Sequence, residues 1–423
     1  MTAIVAAADL DLGRVLRAGD HIVSGHASGE PGTLVETLTE QGPGIGGLSL
    51  FTATSFSGRF TPATATSFAL SSLGAIGALR TMAQAHQLAV IPSHIGQIGP
   101  LIEAGAIGCD VAFIQVSPAD ETGHHSLGLT GDYVRAAVRT ARVVVAEVND
   151  QVPFTYGELL PGAEIDVAVP VSRPPVEVPA APPGPVDQDI ARHAAAYVED
   201  GSVLQIGIGA VPEAVTRLLR DRRDLGVHSG MLGDGLVDLV ESGAVTNARK
   251  PIDRGVSVTG LLIGTRRLFG FAHRNDAVAL RDGGYTSDPA VLARLDRLVT
   301  INSALEVDVG GQVNAEQSGP SYLGGTGGQV DFVRAGARSP GGHAIIALPA
   351  TARGGTISRI TARLTGPVTT ARTEVDVIVT EFGAAELKGR SLAERARRLV
   401  AIAHPAFRED LEREARSIQQ RGY

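Results

Sequence analysis

Apolar positions along the chain fall in short continuous runs rather than in alternation: Asp110 to Val116, Val143 to Val148, Val203 to Ile206, Leu298 to Ile301, Ala344 to Leu348 and Val375 to Thr380. A run rich in β-branched residues with no polar side suits a strand buried on both faces. Such runs, separated by stretches of helical periodicity, predict mostly parallel sheets covered by helices. The expected fold is α/β: two similar α/β domains, each with a mostly parallel sheet flanked by helices, and an active cleft between them.

The pattern is duplicated. Leu204-Gln-Ile-Gly-Ile-Gly-Ala-Val-Pro-Glu-Ala-Val215 and Ile22-Val-Ser-Gly-His-Ala-Ser-Gly-Glu-Pro-Gly-Thr-Leu-Val35 both read as a strand, a glycine-rich turn, a proline and a helix. Such turns leave N–H groups unpaired at a helix N-terminus, where the dipole also favours negative charge, so each is a candidate cradle for an anionic ligand. The run from Cys109 to Asp120, leading into Gly123, parallels the run from Leu298 to Asp308, leading into Gly310-Gly311. A proline-rich segment, 169–186, separates an N-terminal unit at 1–168 from a C-terminal unit at 187–423. Its prolines lack N–H donors, so it is expected to continue neither a helix nor an internal strand. Ser391-Leu-Ala-Glu394 reads as a capping box opening a last helix that stops before Pro405.

Composition narrows the function. A chain of 423 residues exceeds one ordinary core. Its formal charge of −8 and the lack of a Lys/Arg run argue against a nucleic-acid partner. Cys109 is the single cysteine, which excludes internal disulfides, suits a reducing compartment and reads as a packing residue. The N-terminal region lacks a basic segment and is interrupted by Asp9 and Asp11, unlike a signal peptide, and no apolar run approaches the roughly 18 residues of a membrane span. A cytoplasmic protein with no membrane partner is expected, and a homo-oligomer follows from the prevalence of symmetric assemblies.

The motifs from Gly207 to Pro212, Leu225-Gly-Val-His-Ser-Gly-Met-Leu-Gly-Asp-Gly-Leu-Val-Asp-Leu-Val-Glu-Ser-Gly243, Ile301-Asn-Ser-Ala-Leu-Glu-Val-Asp308, Gly311-Gln-Val-Asn-Ala315, Gly324-Gly-Thr-Gly-Gly-Gln-Val-Asp-Phe332 and Ala401-Ile-Ala-His-Pro-Ala-Phe-Arg408 together resemble the acetyl-CoA hydrolase/transferase family, from about Gly25 to Leu411. The resemblance implies a glutamate-dependent CoA-transferase. In that chemistry a carboxylate attacks an acyl-CoA to give an anhydride and then a glutamyl-CoA thioester, which a second acid opens. It places coenzyme A at Gly207, Ile208, Gly209, Ala210 and Val211, with oxyanion donors from Gly324, Gly325, Gly327 and Gly328. The partners it implies are an acyl-CoA and a small carboxylic acid or other acyl acceptor, with no metal. The chain departs from the pattern at one position: where 4-hydroxybutyrate CoA-transferase-like members carry His-Thr-Glu-Met, this sequence has His228-Ser229-Gly230-Met231. Glycine at 230 forms no anhydride.

Glu30, after the first glycine turn, is therefore the first substitute nucleophile, with Glu306 and Glu316 flanking Gly310-Gly311 as further carboxylates. His26, His228 and the pair His124-His125 are candidate bases or carboxylate ligands. Three functions remain open: CoA transfer, acyl-CoA hydrolysis or acyl transfer without a glutamyl intermediate, and CoA binding without catalysis.

Overall fold

In the computed structural model, which describes residues 2–422, two sheets carry the chain. The first has eight strands, all parallel, and the second has nine. Each expected apolar run is a strand of one of them: Val111–Val116 and Val143–Asn149 in the first, Val203–Ile206, Leu298–Ser303, His343–Ala347 and Val377–Thr380 in the second. Val111–Val116 is buried at every position, as a strand covered on both faces requires.

The two sheets share one strand order. In the first, His21–Ser24 is followed outward on one side by Ser49–Phe51, Ala69–Ser72 and Leu88–Val90, and on the other by Val111–Val116, Val143–Asn149 and Val167–Val171. In the second, Val203–Ile206 is followed by Gly226–Leu232, Ser257–Leu262 and Val278–Leu280, and on the other side by Leu298–Ser303, His343–Ala347 and Val377–Thr380. The strands that carry the glycine turns, and the Cys109 and Leu298 runs, thus occupy equivalent places. In both sheets the chain reverses direction of travel beside the glycine-turn strand, and in open α/β sheets ligands settle in the crevice at such a switch point.

Two expectations about proline need correcting. Val169, Pro170 and Val171 belong to Val167–Val171 and pair with Glu147, Val148 and Asn149. Pro170 is tolerated because its nitrogen faces the side where the neighbouring strand, Ala3–Ile4, reaches only as far as Ala168. At the other end of the proline-rich segment a helix, Pro185–Ala195, starts on a proline, which suits a first turn whose N–H is unpaired anyway. The extended connection is therefore 172–184. The capping box at Ser391 and Glu394 does open a helix, Leu392–Ala401, but that helix is not the last: Pro405 begins another, Pro405–Gln420.

The halves are stitched together by backbone. Tyr156–Gly157 leaves the first half to pair with Val278–Leu280 at the edge of the second sheet. Gly131 N donates to Gly260 O at 2.8 Å, Leu262 N to Leu129 O at 3.0 Å and Gly283 N to Asp132 O at 2.8 Å. A small apolar cluster of Ala27, Phe56, Val178, Ile208, Met231, Leu261 and Ile263 closes the seam with residues from both halves and from the connection.

Candidate active site

The glycine loop from Gly324 to Gly328 lies on this seam. Ala75 N donates to Gly324 O and Ile95 N to Gly327 O, both at 2.9 Å, so the first half clamps a loop of the second. Glycine is required by this close approach: a Cβ at Gly74 would fall 2.4 Å from Gly324 O, and one at Gly324 would fall 2.2 Å from Ala315 O. The loop ends at the N-terminus of Gln329–Arg338; Gly325 bridges to Gly74 of the first half, and the amides of Gly327 and Gly328 find no backbone acceptor among the described residues. Free amides at a helix N-terminus are electrostatically suited to negative charge.

These amides border a pocket lined by both halves. His26, Ala53, Thr54 and Asp132 come from the first; Gln205, Gly207, Gly230, Asn302, Gly327, Gly328 and Gln329 come from the second. Gln205 and Asn302 stand at the second switch point and exchange amide hydrogen bonds, Asn302 Nδ2 donating to Gln205 Oε1 at 2.9 Å. His26 and Asp132 are the pocket's ionisable side chains. They are joined by a 3.1 Å contact between His26 Nε2 and Asp132 Oδ2, and the imidazole stacks on Tyr133 at 4.9 Å between centroids.

Gly207 connects this pocket to a groove over the second glycine turn. The groove is walled by Ile206, Ile208, Gly209, Pro212, Leu232, Gly233 and Ile263, and by Val178 to Ala181 of the connection. Gly209 has φ of 121°, a left-handed conformation that favours glycine, and a Cβ at Gly207 or Gly209 would meet nothing within 4 Å. Gly207 follows directly on the parallel pairing of Ile206 with Ile301, and the amides from Ile208 to Val211 have no backbone acceptor among the described residues. The first glycine turn is different: the cradle at the head of Gly32–Ile45 is already filled. Glu147 Oε2 accepts from Thr33 N at 2.7 Å and from Leu34 N at 3.4 Å. Glu147 thus occupies the helix N-terminus of the first turn, and among the described residues no side chain occupies that of the second.

The other singled-out residues lie outside the pocket lining. The carboxylate of Glu30 is buried and committed: Ser55 Oγ and Ser57 Oγ each donate to it at 2.6 Å, and Arg59 Nη1 at 3.3 Å. Glu306 accepts from Asn314, Thr361 and Thr365, and Glu316 from Thr369 and Tyr322. His228 donates through Nε2 to Thr286 O at 3.0 Å, and burial, with the nearby Lys250 ammonium, pushes it down to about 4, so it is neutral. His124 and His125 sit on a short strand paired antiparallel with Leu159–Pro161, where Thr122 and the Ser117 carbonyl hold them. Burial pushes the Cys109 thiol up to about 12, which removes it as a nucleophile. Position 230 lies on Gly226–Leu232 against Phe332: a Cβ there would fall 3.3 Å from Phe332 Cε2.

Asp132, Gln205, Asn302 and Phe332 were not singled out from the sequence. The signal for Asp132 lies in its glycine neighbour across the seam. A Cβ at Gly260 would fall 2.2 Å from Asp132 Oδ1, so the carboxylate needs that absent side chain.

Two doubly wound halves of one strand order are an architecture that the chain shares with a solved CoA-transferase. The chain belongs to the acetyl-CoA hydrolase/transferase family, whose N-terminal domain matches residues 10–178 and whose C-terminal domain matches residues 264–415. It is 39% identical over 395 residues to the 4-hydroxybutyrate coenzyme A transferase of Clostridium kluyveri, covering 92% of each chain. Among solved structures, RipA from Yersinia pestis superposes with a TM-score of 0.90 at 33% identity, covering 98% of this chain and 97% of that one. A 4-hydroxybutyrate CoA-transferase from Porphyromonas gingivalis gives 0.83, also at 33% identity, with 98% and 97% covered.

Proposed function

We propose that this protein transfers coenzyme A from an acyl-CoA to a small carboxylic acid. The observation that carries the reading is the continuity, through Gly207, of a groove with free amides from Ile208 to Val211 and a pocket bordered by the free amides of Gly327 and Gly328. The first set suits a phosphate, and the apolar walls from Ile206, Ile208, Leu232 and Ile263 suit the pantetheine chain. The thioester carbonyl then reaches the loop from Gly324 to Gly328, whose N–H groups stabilise the oxygen as it becomes negative. Short acids such as 4-hydroxybutyrate are the acceptor class that the named relatives support.

Glu30, with its oxygens held by Ser55, Ser57 and Arg59, is assigned to fixing the first turn, and acyl chemistry is assigned to the pocket between the halves. The lone cysteine supports a cytoplasmic setting, and the assembly is taken to be a homo-oligomer.

The test is to supply acetyl-CoA with butyrate, 4-hydroxybutyrate or succinate and to separate the CoA species by chromatography. A new acyl-CoA formed only with an added acid is the expected result. Equal release of free CoA with and without acid would replace transfer by hydrolysis.

A further inference from the structure

With glycine at 230, the pocket holds one carboxylate among the described residues, and it comes from the other half of the molecule. Asp132 follows the stitch made by Gly131 N and Gly260 O, which carries it across the seam onto the strand beside position 230. Gly260 leaves the space that the carboxylate occupies: the Cβ it lacks would fall 2.2 Å from Asp132 Oδ1 and 2.9 Å from Gly230 O. Asp132 Oδ2 is held by His26, whereas Oδ1 has no hydrogen-bond partner among the described residues and is not sealed from solvent. The side chain is thus oriented through one oxygen and free at the other, in the pocket that Gly327 and Gly328 also line.

We propose that Asp132 is the nucleophile of the transfer reaction, a relocated carboxylate in place of the family's glutamate; this rests on the CoA-transferase reading above. Oδ1 adds to the acyl carbon, the C–S bond breaks, and the CoA thiolate leaves an acyl-aspartyl anhydride. The thiolate then adds to Asp132 Cγ, the anhydride C–O bond breaks, and the donor acid departs as its carboxylate, leaving an aspartyl-CoA thioester. An incoming carboxylate reverses the two steps and carries CoA away, restoring the Asp132 carboxylate with no net proton, oxidant or reductant. During attack at Cγ the developing charge falls on Oδ2, where His26 Nε2–H already donates.

The whole protein is incubated with acetyl-CoA, treated with borohydride, and mapped by peptide mass. Reduction of an aspartyl-CoA thioester converts residue 132 to an alcohol, and this mark is expected only after exposure to acetyl-CoA. Asp132→Asn is expected to lose the mark and about 10³-fold or more in kcat while keeping CoA affinity. Gly260→Ala, which crowds the carboxylate without removing it, is expected to lower kcat without raising the KM for acetyl-CoA. Transfer that continues with the mark on Glu30 or elsewhere, or with no covalent CoA at all, overturns Asp132 and leaves the transferase reading intact. Wild-type protein that binds CoA and transfers nothing overturns both.

Discussion

The two glycine turns began as near-copies and do different work. Each ends a central strand at an equivalent place in its sheet and opens a helix. In the first half the helix N-terminus is satisfied from within by Glu147, and Gly25 and Gly29 are packed hard: their Cβ atoms would meet Gly29 O at 2.7 Å and Thr130 Oγ1 at 2.2 Å. In the second half the amides from Ile208 to Val211 are free, and a Cβ at Gly207 or Gly209 would meet nothing within 4 Å. A glycine turn therefore has two distinct uses, close packing and ligand approach, and the neighbour that fills or vacates the helix N-terminus decides between them. The first turn still contributes His26 to the pocket between the halves.

Variants that touch the open half should change chemistry and binding, beginning with the loop from Gly324 to Gly328. A methyl at Gly328 would sit 3.2 Å from Ile95 Cγ2 and 3.3 Å from Phe332 Cε2, so Gly328→Ala must displace the loop slightly. Displacement of about 1 Å costs on the order of 10²-fold in rate. Turnover should fall by that order while CoA affinity, measured by calorimetry, changes little. Equal losses in both would mean simple obstruction. Next in size, Gly207→Val places a branched side chain where a Cβ now meets nothing, in the path of the ligand. CoA affinity should drop about 10- to 100-fold, or roughly 1.4–2.7 kcal/mol, with an unchanged melting temperature. Unaltered affinity in that variant would remove the second turn from the CoA site.

Position 230 gives a smaller, mixed effect. Gly230→Glu would press its Cβ against the buried Phe332 ring at 3.3 Å, and overpacking of this kind costs about 1–3 kcal/mol. The single variant should melt earlier and transfer CoA more slowly. Adding Phe332→Leu should recover part of the stability and let a borohydride mark appear at residue 230. A gain of activity in the single variant would show that the ring yields freely.

Fold and family were legible because they depend on patterns that survive along a single chain: buried runs such as Val111–Val116, the duplicated turns, and the spacing of the glycine motifs. The proline reading failed at Pro170 because tolerance there depends on how far the neighbouring strand extends, which no local signal reports. Site residues were less legible for the same reason. Glu30 follows a glycine turn as a catalytic carboxylate would, yet Ser55, Ser57 and Arg59 enclose it. Asp132, in an unremarked Gly131-Asp132-Tyr133, reaches the pocket only because a glycine at 260 admits it. Occupancy of a helix N-terminus by Glu147 is likewise a contact across more than a hundred residues.

The smallest expected effect tests that filled cradle by pH. Burial raises the Glu147 carboxyl above its ordinary value of 4.5, against the opposing donation from Thr33 N. A group with a raised folded value binds its proton more tightly in the native state than in the unfolded chain. Its contribution is therefore fully present below the unfolded value of about 4.5 and is lost as pH climbs through the folded value. Glu147→Gln keeps an oxygen to accept from Thr33 and Leu34 but cannot ionise. The wild-type protein should lose stability against urea over that interval, and Glu147→Gln should lack this part of the slope while binding CoA as tightly as before at every pH. A variant with the wild-type slope would show that the charge of Glu147 is as well solvated in the native state as in the unfolded chain. Weakened CoA binding in the same variant would mean that the first turn serves the ligand after all, and the division of labour between the two turns would fall.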